Sequence, residues 1–85
     1  MMTELQQTLL LTLHREAKPV SLPWLGKQLG LSGSVLLRAL SPLGDAAIAG
    51  EAGPGWVRLE MVDARWSAGL TEAGRALFAE HARAP

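Results

Sequence analysis

Leucines set the first rhythm of the chain. Leu5, Leu9 and Leu13, with Ala17 after them, recur every four residues, and Leu10 and Leu11 widen the stripe. That spacing follows one face of an α-helix. Thr3 with Gln6 three residues on has the form of a capping box. Lys18-Pro19 closes the segment, because the residue before proline is held out of the helical region. The pattern predicts a helix over residues 1–17. A stripe this wide predicts contact on two sides, the domain core and a second surface. Val20 is extended, with room for a short strand. Ser21 is placed to cap a second helix, with Pro23 harmless in its first turn. Leu22, Leu25 and Leu29 share one face of it, and Gly30 is suited to end it. A third helix starts within residues 32–34 and carries Leu36, Leu40 and Leu43 at spacings of three and four. Its pattern runs to residues 46–47, but Pro42 removes a hydrogen bond and clashes one turn back. A kink or an early stop is expected near Leu40.

The period then changes. Residues 49–55 (Ala-Gly-Glu-Ala-Gly-Pro-Gly) have loop composition. Residues 56–62 alternate, with Val57, Leu59 and Met61 on one face and Trp56, Arg58, Glu60 and Val62 on the other. That is a strand signature. Asp63-Ala64-Arg65 forms a turn, and residues 66–70 return with Trp66, Ala68 and Leu70 on one side. Trp56 and Trp66 are expected to make a cross-strand aromatic pair. Thr71 caps a last helix, over residues 71–83, anchored by Ala73, Leu77 and Phe78. Glu72 lies favourably at its positive end.

Composition narrows the function classes. A chain of 85 residues predicts a single domain. Its 48% hydrophobic content fills a core and leaves apolar surface over. Small domains often cover such a surplus with a second copy of themselves. Cysteine is absent, so there is no disulfide framework and no thiolate metal site. His14 and His81 stand alone near helix ends, where the helix dipole suffices to explain them. No metal and no cofactor are expected. There is no charged start followed by an apolar run, and no apolar run approaches a membrane span. A cytoplasmic protein with no membrane contact is the expectation.

Enzyme chemistry finds no support. Gly30-Leu31-Ser32-Gly33-Ser34 begins like a nucleophile elbow, but Ser34 replaces the closing glycine and no strand precedes it. Gly50, Gly53 and Gly55 lack phosphate-loop spacing. Asp45, Glu51 and Asp63 have no paired carboxylate at useful spacing. No catalytic residue is assigned.

Two short helices joined by a tight turn, with small Gly26 where they approach, have the grammar of a helix-turn-helix. The sequence resembles the winged helix-turn-helix family of bacterial transcriptional regulators, including its MarR-like and PadR-like groups. Residues 25–32 (Leu-Gly-Lys-Gln-Leu-Gly-Leu-Ser) look like the family's L-A-x-x-L-G-L-S, with glycine in the alanine place. Residues 40–48 (Leu-Ser-Pro-Leu-Gly-Asp-Ala-Ala-Ile) resemble its L-x-x-L-x-x-x-G-L. Residues 70–77 (Leu-Thr-Glu-Ala-Gly-Arg-Ala-Leu) are similar to the L-T-x-x-G-R-x-L that follows the wing in many members. The implied fold is α+β: three helices, a β-hairpin wing over residues 56–70 and a C-terminal helix, with the helix-turn-helix at residues 21–47. The implied function is DNA-binding transcription regulation with the third helix in the major groove.

Carried over by position, Ser32, Gly33, Ser34, Leu37, Arg38 and Ser41 face base edges. The wing tip at residues 63–65 meets phosphate or the minor groove, and Lys27 reaches phosphate. The sequence departs from the pattern in its charge. Arg38 is the one cation on the presumed reading helix. Leu37 is apolar, suited to a thymine methyl but not to a hydrogen bond. Asp63 stands beside Arg65. Lys27, Arg38, Arg58 and Arg65 give four phosphate-capable cations, and a dimer doubles these to about eight, within the roughly six to ten that grip DNA. Double-stranded DNA bound by a homodimer is therefore the expectation, with Leu5, Leu9, Leu10, Leu13, Leu77 and Phe78 as the seam. A solvated Arg38 paired with Asp45 is the competing reading of that residue. Trp24 is either a partner contact or packed under the hairpin or first helix. Lysine plus arginine equals aspartate plus glutamate at eight each, which favours the rival function, a winged-helix module that docks a protein partner.

Overall fold

Each junction in the chain is held by a residue with a local reason to be there. The computed structural model describes residues 2–44, 47–48 and 51–83. Among these residues lie four α-helices, a three-stranded antiparallel sheet and a two-stranded one. Helix α1 is Glu4–Glu16. Thr3 Oγ1 accepts the Gln6 N–H at 3.1 Å, and the Thr3 N–H donates to Gln6 Oε1 at 2.9 Å, which completes the capping box. Gln6 Nε2 also donates to the Ala39 carbonyl at 2.9 Å, tying α1 to the helix that follows much later. At the other end Ala17 turns left-handed, with φ of 59°, and its N–H returns to the Leu13 carbonyl. The helix thus stops on Ala17, just ahead of the Lys18-Pro19 break.

Strand β1 (Val20–Ser21) leads directly into α2 (Leu22–Leu29), whose first turn is capped by Ser21 Oγ on the Trp24 N–H at 3.2 Å. Gly30 ends α2 with φ of 68°. Helix α3 (Gly33–Leu40) starts on Ser32, whose Oγ accepts from the Val35 N–H. It ends at Leu40, and Pro42 opens a single 3-10 turn, Ser41–Leu43. The early stop is what an interior proline dictates. Strands β2 (Ala47–Ile48) and β3 (Glu51–Ala52) then pair antiparallel. The helix-turn-helix expected through residue 47 is therefore helical only to Leu43. The expected loop at 49–55 overlaps a small hairpin too short to show alternation.

The main sheet has the order β1-β5-β4, from β4 (Val57–Val62) and β5 (Arg65–Leu70). Val20 lies opposite Ala68, Val57 opposite Leu70, and Met61 opposite Trp66. The expected Trp56–Trp66 pair does not form. A hairpin pairs residues at equal distance from its turn, and the two tryptophans sit at opposite ends of it. Trp56 precedes β4, and its carbonyl accepts the Thr71 N–H at 3.0 Å. Thr71 then caps α4 (Glu72–Arg83) by accepting from the Gly74 N–H, while its hydroxyl donates to the Gly55 carbonyl.

Every principal element feeds the core except α4, which packs against it. Leu9, Leu10 and Leu13 meet Val20, Leu22, Leu25, Leu36, Leu40, Leu43, Val57 and Ala68. Leu5, Trp24, Leu77 and Phe78 close over it half-buried. This takes Leu9, Leu10 and Leu13 out of the expected dimer seam. Leu9, Leu10 and Leu13 are at most 2% exposed within one chain and have no surface left for a second. Leu5, Leu77 and Phe78 cover the same core. Of the stripe's leucines Leu11 is the exposed one, at 46%. His14 stacks flat on Phe78 at a centroid separation of 4.2 Å, which fastens α1 to α4. Trp24 takes the packed role. Among the described residues no helix is long and apolar enough to cross a membrane.

The angle between α2 and α3 rests on Gly26. Its carbonyl accepts the N–H of both Gly30 and Leu31. A β-carbon there would stand 2.6 Å from the Leu31 carbonyl oxygen. Backbone blocks that approach, so something must shift. Gly26→Ala should therefore lose about 1–3 kcal/mol of stability to urea despite alanine's better helix propensity. Gly33→Ala, where the added methyl meets nothing within 4 Å, should be neutral or gain up to about 1 kcal/mol.

Candidate nucleic-acid interface

With Leu36 and Leu40 buried, the opposite side of α3 faces solvent. That side carries Ser34, Val35 and Arg38, all exposed. Ser32 and Ser34 sit at its start with their hydroxyls 3.2 Å apart. Leu37 lies a quarter-turn away, half-buried, and turns toward the hairpin.

There the chain forms a cleft of about 540 Å³ between the helix pair and the hairpin tip. One wall is Leu22, Pro23, Gly26 and Lys27 of α2. The back is Leu31, Gly33 and Leu37. The far wall is Ala64, Arg65 and Trp66. Two cations, Lys27 and Arg65, therefore flank an otherwise apolar cleft, and no carboxylate lines it. The tip that supplies the far wall is a two-residue turn, Asp63-Ala64, with φ of 49° and 63°. Both central residues of a type I′ turn need positive φ, which matches the natural twist of a hairpin. Aspartate tolerates that conformation, whereas alanine is strained in it.

Of the nine residues assigned to DNA from sequence, the structure brings Lys27, Gly33, Leu37 and Arg65 together around this cleft. Ser32, Ser34 and Arg38 lie beside it on the start and outer face of α3. Ser41 and Arg58 do not join them. Ser41 spends its hydroxyl on the Leu37 carbonyl at 2.6 Å. It shares a separate hollow with Arg58, Gly55 and Thr71. Arg58 is on the other face of β4 from Val57, Leu59 and Met61, and it pairs with Glu60 at 2.5 Å. The pairing of Arg38 with Asp45 falls outside the described residues.

Two features of this end were not read from the sequence. The first is charge partition. Lys18, Lys27 and Arg38 are the charged residues between positions 17 and 44, and that stretch holds no aspartate or glutamate. A chain with zero net charge thus places +3 between positions 17 and 44, of which Lys27 and Arg38 put +2 on the helix pair, balanced by −3 over the remainder. Summing charge over the whole chain hid it. The second is an apolar fringe. Val35 (38%), Met61 (55%), Val62 (47%) and Trp66 (38%) are all exposed, three of them at the hairpin end. Val35 stands three residues before Arg38 on the same helix face, a spacing visible in the sequence.

No protein-family model matches the chain, and no curated protein or solved structure matches it either.

The strained tip gives a direct test of the hairpin geometry. Ala64→Gly should raise stability by about 0.5–1 kcal/mol, read as a higher urea midpoint, because glycine takes the positive φ without cost. Ala64→Val should lower it.

Proposed function

We propose that the chain is a winged-helix domain that binds duplex DNA, with α3 in the major groove and the β4–β5 hairpin as the wing. The observation that carries this reading is the acid-free, cationic helix pair beside a cleft closed by Arg65. Sequence-independent affinity for DNA comes from cations that displace counterions at phosphates. A neutral protein achieves it by segregating its charge onto one face. An α-helix with its side chains is about 10–12 Å across, which fits the width of the major groove. The outer face of α3 offers Ser34 and Arg38 as hydrogen-bonding groups. The cleft suits the sugar-phosphate strand that separates the major groove from the next minor groove, with Lys27 on one side and Arg65 on the other. Arg58 contributes little, since Glu60 neutralises it and it faces elsewhere.

The exposed Met61, Val62 and Trp66 favour a second reading, a partner protein docked at the same end. The two differ in salt dependence, because apolar docking releases no condensed counterions.

The test is a salt series on a short duplex. Three phosphate contacts, from Lys27, Arg38 and Arg65, predict a slope of log affinity on log salt near −3, or roughly 40-fold weaker binding at 200 mM than at 50 mM. A slope nearer twice that would mean two copies on the site. Lys27→Gln and Arg65→Gln should each reduce the magnitude of the slope by about one. Arg58→Gln should leave it almost unchanged. Absence of binding to any duplex at low salt would end the DNA reading.

A further inference from the structure

If α3 enters the major groove, its outer face is poorly supplied with groups that read bases by hydrogen bonding. Serine is an unselective reader, and Arg38 is the one strong donor there. Between them stands Val35, exposed to solvent on the first turn of α3 and three residues from Arg38. Its position on the helix turns it away from Leu36 and Leu40, so the core gains nothing from a branched apolar side chain there. A single exposed apolar residue is unremarkable on most surfaces. Here it occupies the face that would meet base edges, on a helix pair with no acid to repel phosphate.

The major groove offers one apolar feature to such a residue, the 5-methyl group of thymine. We propose that Val35 is a specificity-determining residue that recognises thymine through that methyl, so that the preferred ligand is duplex DNA with thymine at the step beneath the start of α3. This rests on the DNA reading above. Arg38, one turn on, fixes the register by holding phosphate or a neighbouring guanine. Val35 and Arg38 thus divide the work of one helix face: the guanidinium supplies grip and the isopropyl group supplies choice. Leu37 does not share this role, because it lines the cleft and faces the hairpin.

The test compares two duplexes of equal length at low salt, one of alternating A·T pairs and one with every thymine replaced by uracil. Uracil removes the methyl and leaves each hydrogen-bonding group in place. The wild-type chain should bind the thymine duplex about fourfold more tightly, the value of one buried methyl. Val35→Ser should bind both equally and keep the affinity of the wild type for the uracil duplex. Arg38→Gln should bind both more weakly yet preserve the preference. Equal wild-type affinity for the two duplexes overturns the inference and leaves the DNA reading intact. A preference that survives in Val35→Ser also overturns it, since the methyl is then sensed elsewhere. Loss of all binding in the wild type overturns both.

Discussion

The close approach of Gly26 to the Leu31 carbonyl is the constraint on which the rest depends. Two N–H groups converge on the Gly26 carbonyl, from Gly30 and Leu31. The missing β-carbon lets the turn fold back against α2. That contact sets the direction in which α3 leaves. The direction places Leu36 and Leu40 over Leu25, sends Ser34, Val35 and Arg38 outward, and aims Gly33 and Leu37 at the hairpin. The cleft therefore follows from a packing decision made in the turn. The core then locks it, since truncating any one of these buried leucines costs on the order of 2–5 kcal/mol in comparable sites.

The hairpin is tied to this frame at its base and free at its tip. Trp56 and Thr71 join it to α4, and Ala68 and Val57 enter the core. Beyond Leu59 the strands extend past the core, which is why Met61 and Trp66 stay exposed although they lie on its inward face. An arm held at one end can adjust to a surface without disturbing the domain. Its turn contains Ala64 in a strained conformation, a small cost that keeps the register and hence the position of Arg65.

Much of the fold was legible because its signals are local. Thr3 with Gln6, Ser21, Gly30 and Pro42 each act within one turn of the chain, and each does in the structure what its chemistry implies. The hairpin was legible from alternation. The Trp56–Trp66 pair fails on distance from the turn and on face alike, since Trp66 lies opposite Met61, on the side of the sheet away from the Trp56 position. The β2–β3 pair escaped because two-residue strands leave no period. The α1 stripe could not be divided between core and surface, since the sequence does not say which side the sheet will cover. For the candidate site, position along the chain groups Lys27, Leu37 and Arg65 around the cleft, whereas Arg58 lies outside it, paired with Glu60 on the same strand face. Val35 gives no signal in the sequence alone, because its exposure depends on which face of α3 the core covers.

Charge partition is the physical claim that links this fold to a function, because it predicts which surface a polyanion will touch. The most direct measurement is a map of backbone amide shifts when a duplex of about 20 base pairs, two helical turns, is titrated into the nitrogen-labelled chain at low salt. The shifts should concentrate on Ser32 to Arg38, on Lys27 and on Arg65 with Trp66, and should spare α1 and α4. A footprint centred on α1 and α4, or uniform small shifts with no focus, would contradict it.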